Sequence, residues 1–339
     1  MKHKETEQMK GKKEVFHLHS RSLLGMIGIL FIALCLGGCG RTKAKNVSQK
    51  KEKIAVICKG EQHQFWQTVK AGAEDAGEEL GVEITFEAPE DESQIDVQIG
   101  MVEKAIEDKA DAILLAPLDT DKLNDVIDRA SAEGIPVLTF DSDVTTASRV
   151  ATIGTDNMTG GAIAARNAID LFGTKGKVAI ISYVKDAQTA IEREKGFVDE
   201  ISKYTEIEIL GTEYCNGDSA LAQEQAETFI RNNPDIKCIY ATNEGSALGV
   251  AQAVQDKDIT VIGFDSSDDE IQYLKNGWIQ GMMVQNPYNM GYLGVRNIYK
   301  AMQGKKLEEK IDTGITYVDQ SNLQDEDIEW LLYPMGKGE

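Results

Sequence analysis

Histidine is nearly absent: the 339 residues hold four, and His3, His17 and His19 all fall within the first twenty positions. A chain this poor in imidazole can build few nucleophile–base pairs. No G-x-S-x-G, Walker A or G-x-G-x-x-G stretch stands in for them. An enzyme is therefore not expected, with carboxylate pairs the one acid–base device left open. The five cysteines show neither metal-ligand spacing nor a disulfide framework. Cys58 and Cys238 sit in apolar runs and Cys215 stands alone, so all three read as free thiols, two of them buried. Lys and Arg total 36 against 56 Asp and Glu, a formal net charge of −20. Phosphate binding needs clustered cations, which excludes a nucleic-acid partner. The acidic surplus reads as a solvated surface, and the stretch "APEDESQID" as a solvated loop rather than a metal site. No cofactor and no metal are expected.

What the chain does have begins with a leader. Lys2, Lys4, Lys10, Lys12, Lys13 and Arg21 form a basic n-region, and "LLGMIGILFIALCLGG" an apolar h-region short for a membrane span. It closes on "LGGC", Leu36 to Cys39, which resembles a bacterial lipobox with Cys39 as the lipidated residue. Cys35 competes for that role, but bulky Leu34 precedes it where a signal peptidase takes a small residue. The other reading is a short uncleaved anchor. Both place the folded part outside the cytoplasm, at the outer face of the cell membrane or on its periplasmic side. Residues 1–38 are then a signal peptide and 39–53 a polar, basic tether, and His63 is the one histidine left in the mature protein.

From Ile54 on, strand and helix patterns alternate. Strands are expected at 54–58, 82–87, 111–116, 135–140, 177–182, 207–213, 236–241, 259–264 and 279–284, mostly short and rich in Ile, Val and Leu, as in sheets covered on both faces. Helical spacing runs through Trp66, Val69, Ala73, Ala76 and Leu80, and again through 95–106, 123–132, 160–171, 222–230 and 247–254. The chain also repeats: "KIAVI" at Lys53 returns as "KVAII" at Lys177, and "IPVLTFDS" at Ile135 as "ITVIGFDS" at Ile259, each pair 124 residues apart. These patterns predict an α/β fold of two similar, doubly wound parallel-sheet lobes.

In such sheets ligands sit beyond the carboxyl ends of the strands. The residues there are His63, Phe65 and Trp66 after the first strand, Asp141 and Ser142 after "VLTF", Asn243 and Glu244 after "CIYA", Asp265 after "VIGF", and Gln285 after "GMMV", with Arg193 in "EREKGF". Planar amides, carboxylates and a guanidinium bracket adjacent hydroxyls, and aromatic faces take the C–H face of a sugar ring. Read singly, each has a plainer role. Asp141 and Asp265 are helix N-caps, Phe65 and Trp66 core, His63 a solvated turn residue, and Arg193 a surface partner of Glu192 or Glu194. Converging on two facing edges, they read as a site for a polyhydroxylated ligand.

From Lys53 to about Val318 the chain resembles the type I periplasmic sugar-binding proteins, the ribose-binding group of ABC-transporter receptors. The matching pieces are "IAVICKGEQHQFWQTVKAGAEDAGEELG", "DAILLAPLDTDKL", "IPVLTFDSDV", "IGTDNMTGG", "EREKGF", "ATNEGSALG", "VIGFDSS" and "GMMVQNPYNMG". The resemblance implies two lobes joined by a three-strand hinge crossed near Thr155–Asp156, Gln285–Asn286 and Ile315–Tyr317. The N-terminal lobe is then 54–155 plus 286–314, the C-terminal lobe 156–285 plus 315–325, and 326–339 a tail that packs as a short helix on either lobe. It implies ring-stacking by Phe65 and Trp66, a polar contact at His63, and ligand contacts at Asp141, Arg193, Asn243, Asp265 and Gln285. Ser142 stands where ribose-type sites have Arg, and His63 where they have Asn. A further Arg near Ile191 is missing, and a third aromatic near Tyr214–Gly217 is ambiguous. The implied role is a monomeric receptor that closes on a monosaccharide or polyol and delivers it to the permease subunits of an ABC transporter. The alternative partner is a sensor kinase or chemoreceptor. A sugar-responsive repressor shares the lobes but needs an N-terminal helix-turn-helix, where this chain has a leader. Contact between His63 and ligand would make affinity change between about pH 5 and 8.

Overall fold

The structure, a computed structural model, describes residues 51–336. The expected leader, Cys39 and nearly all of the tether lie outside the described residues. In chain order the elements are β1 (Lys53–Ile57), α1 (Gln64–Leu80), β2 (Glu83–Glu87), α2 (Ile95–Glu107), β3 (Ala112–Leu115), α3 (Asn124–Ala132), β4 (Val137–Phe140) and β5 (Thr152–Gly154). Next come α4 (Asn157–Phe172), β6 (Lys175–Ser182), α5 (Gln188–Ile201), β7 (Glu206–Tyr214), α6 (Ser219–Asn232), β8 (Ile236–Ala241), α7 (Glu244–Ala253), β9 (Thr260–Phe264), α8 (Asp268–Asn276) and β10 (Gly281–Val284). The chain ends with α9 (Pro287–Met302), β11 (Lys310–Asp312), β12 (Thr316–Val318) and α10 (Glu326–Leu332).

Two six-stranded sheets result, ordered β11-β5-β4-β3-β1-β2 and β12-β10-β9-β8-β6-β7. Every pairing is parallel except β10 with β12. Each sheet is buried on both faces, which is why its strands carry unbroken apolar runs. In β1, Ile54 and Val56 join one core cluster while Ala55 and Ile57 join the cluster on the other face. Two further clusters flank the second sheet in the same way. The doubly wound architecture read from the repeats is thus the observed one.

The chain passes between the sheets three times, after β5, after β10 and between β11 and β12. In both sheets the first strand lies beside the second on one side and the third on the other, so the winding direction reverses at β1 and at β6. A crevice opens at such a switch point, and the two crevices face each other. The alternation pattern does not reveal β5, β11 and β12, which are three residues each, too short to show a period. Nor does it reveal α8, whose sequence "DDEIQYLKN" is mostly polar, or α9, which opens on proline at its first turn. Helix α10 packs on the second lobe, where Ile328, Leu331 and Leu332 extend the cluster that holds Val318.

Candidate functional site

The first turn after β1 runs into α1, and His63 is the residue that enters the helix. Its side chain makes no cap hydrogen bond. The ring is buried, and Nε2 lies 3.0 Å from the carbonyl oxygen of Gly217, in the opposite lobe. Nδ1 lies 3.3 Å from Glu92 Oε1, which also accepts the indole N–H of Trp66 at 3.0 Å. Burial by itself pushes the imidazole down. The hydrogen bond and charge of Glu92, the charge of Glu244 and the Gly217 carbonyl outweigh it and raise the pKa to about 9. Burial likewise pushes the Glu92 carboxyl up, but bonding to His63, the nearby positive charges and the Trp66 indole hold it below its ordinary value. His63 is therefore an imidazolium at neutral pH that donates to both lobes. The solvated-turn reading of His63 is replaced, as is the solvated reading of Glu92 in "APEDESQID", which is 3% exposed. Among the described residues no cluster could hold a metal ion.

A folded-state pKa raised above the ordinary 6.5 stabilises the folded protein fully below that value, and the benefit is lost as pH rises through about 9. The folded protein should therefore lose stability between about pH 7 and 10, by an effect on the order of 3 kcal/mol; Glu92 lies in the same lobe as His63, so only the share owed to Glu244 and Gly217 weakens closure itself. His63→Gln should flatten the dependence. Small-angle scattering and melting temperature against pH check this; identical profiles for the two proteins would show that His63 does not join the lobes.

The two strand-end aspartates share one backbone state. Asp141 has φ 60° and Asp265 φ 84°, in the left-handed region that costs a non-glycine residue energy. Neither is a helix cap: Ser267 caps α8 with a reciprocal Glu270 bond, and β4 leads to β5 without a helix between. Asp141 instead takes the ammonium of Lys59 at 2.6 Å, which also reaches Ser142 Oγ at 2.5 Å and, across the cleft, Thr189 Oγ1 at 3.3 Å. Asp265 accepts the Glu244 N–H at 3.0 Å and Gln285 Nε2 at 2.5 Å. Burial raises the Asp265 pKa, with Arg193 and these two donors opposing.

Arg193 is 2% exposed, not a surface residue. Glycines let α5 lie directly on α4: a Cβ at Gly196 would meet Met158 O at 2.2 Å, and one at Gly161 would meet Arg193 O at 2.2 Å. This contact sinks the guanidinium, which donates to Asn157 Oδ1 and Thr242 O, each at 2.8 Å, and stacks 3.7 Å from the Phe264 ring centre. Its Nη2 has no partner, and neither has Gln285 Oε1.

One cavity brings these groups together. Its walls hold His63, Phe65, Trp66, Asp141, Arg193, Asn243, Asp265 and Gln285 from the residues singled out in the sequence, and Lys59, Glu92 and Tyr183 beside them. Ser142 is not among them; it stands behind Lys59. Phe65 and Trp66 meet edge to face at 4.8 Å and serve both core and cavity wall. Asn243 spends its Oδ1 on capping α7 through the Ser246 N–H. From 214–217 a glycine carbonyl, not a third aromatic, meets His63, while Tyr214 turns to Glu194. The free space is about 20 Å³, enough for a single water, so a larger ligand enters only by parting the lobes.

The comparisons place the fold among known proteins. A family described as periplasmic binding protein domain matches residues 54–306. The ribose import binding protein of Bacillus subtilis is 28% identical over 79% of this chain and 88% of its own length. Among solved structures, a solute binding protein of Agrobacterium vitis with bound D-fucose superposes with a TM-score of 0.81 at 36% identity, covering 83% of this chain and 100% of that one. One from Agrobacterium radiobacter in complex with D-arabinose gives a TM-score of 0.81 at 32% identity, covering 84% and 99%.

Proposed function

Since the chain belongs to the periplasmic binding protein family, we propose that it is an extracytoplasmic receptor that captures a monosaccharide or polyol between its lobes. It then presents the closed form to the permease subunits of an ABC transporter. We assign the lipid anchor to Cys39, after cleavage of a leader at 1–38, and take the receptor to be monomeric. The observation that carries the ligand assignment is the pair of orphaned groups in one cavity: Arg193 Nη2 is a buried donor and Gln285 Oε1 a buried acceptor, and neither has a protein partner. Buried polar groups are nearly always satisfied, and a hydroxyl both accepts and donates. Phe65, Trp66 and Tyr183 supply the apolar faces a ring needs.

The mechanism follows from where the groups sit. Lys59, His63, Trp66 and Asp141 belong to the first lobe, Arg193, Asn243 and Asp265 to the second, and Gln285 to a crossing between them. A ligand touching all of them favours the closed arrangement by its differential affinity for it. Asp141 and Asp265 grip hydroxyls from opposite lobes, Asp141 exchanging part of its contact with Lys59 for the ligand. A thermal-shift panel of pentoses, hexoses, inositols and polyols tests this. A ligand at a hundred times its Kd should stabilise by about 2.7 kcal/mol, raising Tm by several degrees. A panel that leaves Tm flat throughout would remove sugars and polyols as the ligand class.

A further inference from the structure

Beyond the inner cavity, toward the cleft mouth, lies a second cavity of about 230 Å³. It shares Phe65, Asp265 and Gln285 with the inner one, so the two adjoin across these side chains. Its floor is built by both lobes: Gln64 and Thr68 on α1 with Pro287 on α9, facing Glu244, Ser266 and Asp268. Its outer wall is the chain's own tail, Leu331 through Gly336. That tail is anchored on the second lobe, where Leu332 is 6% exposed in the core, and it reaches over the cleft. It also lies past residue 306, where the family match ends.

We infer that this outer cavity is a second sugar subsite, and that the receptor's ligand is a disaccharide whose inner ring lies among Trp66, Arg193 and Asp265 and whose outer ring lies under the tail. The inference rests on the sugar-binding reading and extends it. The chemistry of the outer cavity is again that of a ring. Tyr333, Pro334 and Met335 present an apolar wall to a C–H face, opposite the carboxylates of Glu244 and Asp268 and the amide of Gln64 for hydroxyls. The volume approaches the lower end of small-molecule pockets, about 300–1,000 Å³. Gln285 lines both cavities and its Oε1 is unpartnered, so a ligand spanning the two would pass it.

Isothermal titration distinguishes the cases. The purified chain is titrated with D-ribose, D-allose, D-glucose and D-galactose, and with cellobiose, lactose, melibiose and trehalose. Two variants are titrated alongside: one ending at Leu332, and Ser266→Phe, which fills the outer cavity alone. The expected result is a disaccharide bound at least tenfold more tightly than its component monosaccharides. In both variants that advantage falls to within threefold, while monosaccharide affinity stays within threefold of the parent. A melting curve for each variant confirms folding, and Ser266→Phe stands if the truncation does not fold. Disaccharide affinity unchanged in the folded variants, or binding of monosaccharides with no disaccharide bound, overturns the second subsite and leaves the receptor reading intact. No binding by either size class removes both.

Discussion

Asp265→Asn should lower affinity for the inner ring by roughly 10²–10⁴-fold while leaving the ligand-free protein at least as stable as the parent. The carboxylate lies on the wall shared by both cavities, and burial holds its charge at a cost that shows as a raised pKa. Asparagine removes that cost and keeps the shape, with its oxygen toward the Glu244 N–H and its amide donating to the free Oε1 of a turned Gln285. It also removes the anionic acceptor that a pair of ligand hydroxyls would use, and charge-assisted hydrogen bonds contribute about 1.5–3 kcal/mol each. Sites built for hydroxyls discriminate steeply because their polar groups go unpaired when the match fails. Asp265→Ala should abolish ligand-induced stabilisation as well, but with a lower ligand-free Tm, since Gln285 Nε2 and the Glu244 N–H lose their acceptor together. Melting with and without ligand separates these outcomes. A ligand-induced shift of parental size in Asp265→Asn would take Asp265 out of the site.

Why Asp265 was visible in the sequence and Lys59 was not is a question of sequence distance. Asp265 and Asp141 stand at equivalent ends of two repeats, so strand pattern and repeat together expose them; the shared left-handed backbone is the structural counterpart. Arg193, Asn243 and Gln285 follow their strands or motifs in the same way. Lys59 also follows a strand, but a lysine there reads as a solvated end, since lysine is rarely buried unless paired. Its partner Asp141 is 82 residues on, just past β4, and only sheet order places the two side by side. Glu92 was hidden by its neighbours: an acidic stretch looks solvated, and nothing local tells which of its carboxylates turns inward to Trp66 and His63. The lobes were legible because they are built from local apolar periodicity. The contacts between lobes were not, because each joins segments that share no pattern.

Glu244 is the strongest case of such a contact, and its removal should favour the open form. Helix α1 begins without a side-chain cap of its own, since His63 is turned to Glu92 and Gly217. The first N–H groups of any helix need partners. Here they find them in the other lobe: Glu244 Oε1 accepts from Gln64 N at 3.0 Å and Oε2 from Phe65 N at 3.1 Å. A carboxylate at a helix N-terminus is well placed against the helix dipole. Parting the lobes gives those donors to water, so the contact contributes only when the cleft is shut. Glu244 N–H is in turn held by Asp265, so the residue proposed to grip ligand also orients the residue that caps α1. Glu244→Ala should thus shift the ligand-free protein toward a larger radius of gyration and speed ligand release about 10–100-fold, the equivalent of about one charge-assisted bond once the cost of burying the carboxylate is offset. Glu244→Gln, which keeps one acceptor, should fall between. The stability of the second lobe should change little, because burial raises the Glu244 pKa and its charge is itself costly there. Small-angle scattering on the free proteins and stopped-flow release of ligand, followed through Trp66 fluorescence, measure both effects. Release at the parental rate in Glu244→Ala would mean that closure draws its energy from the ligand alone.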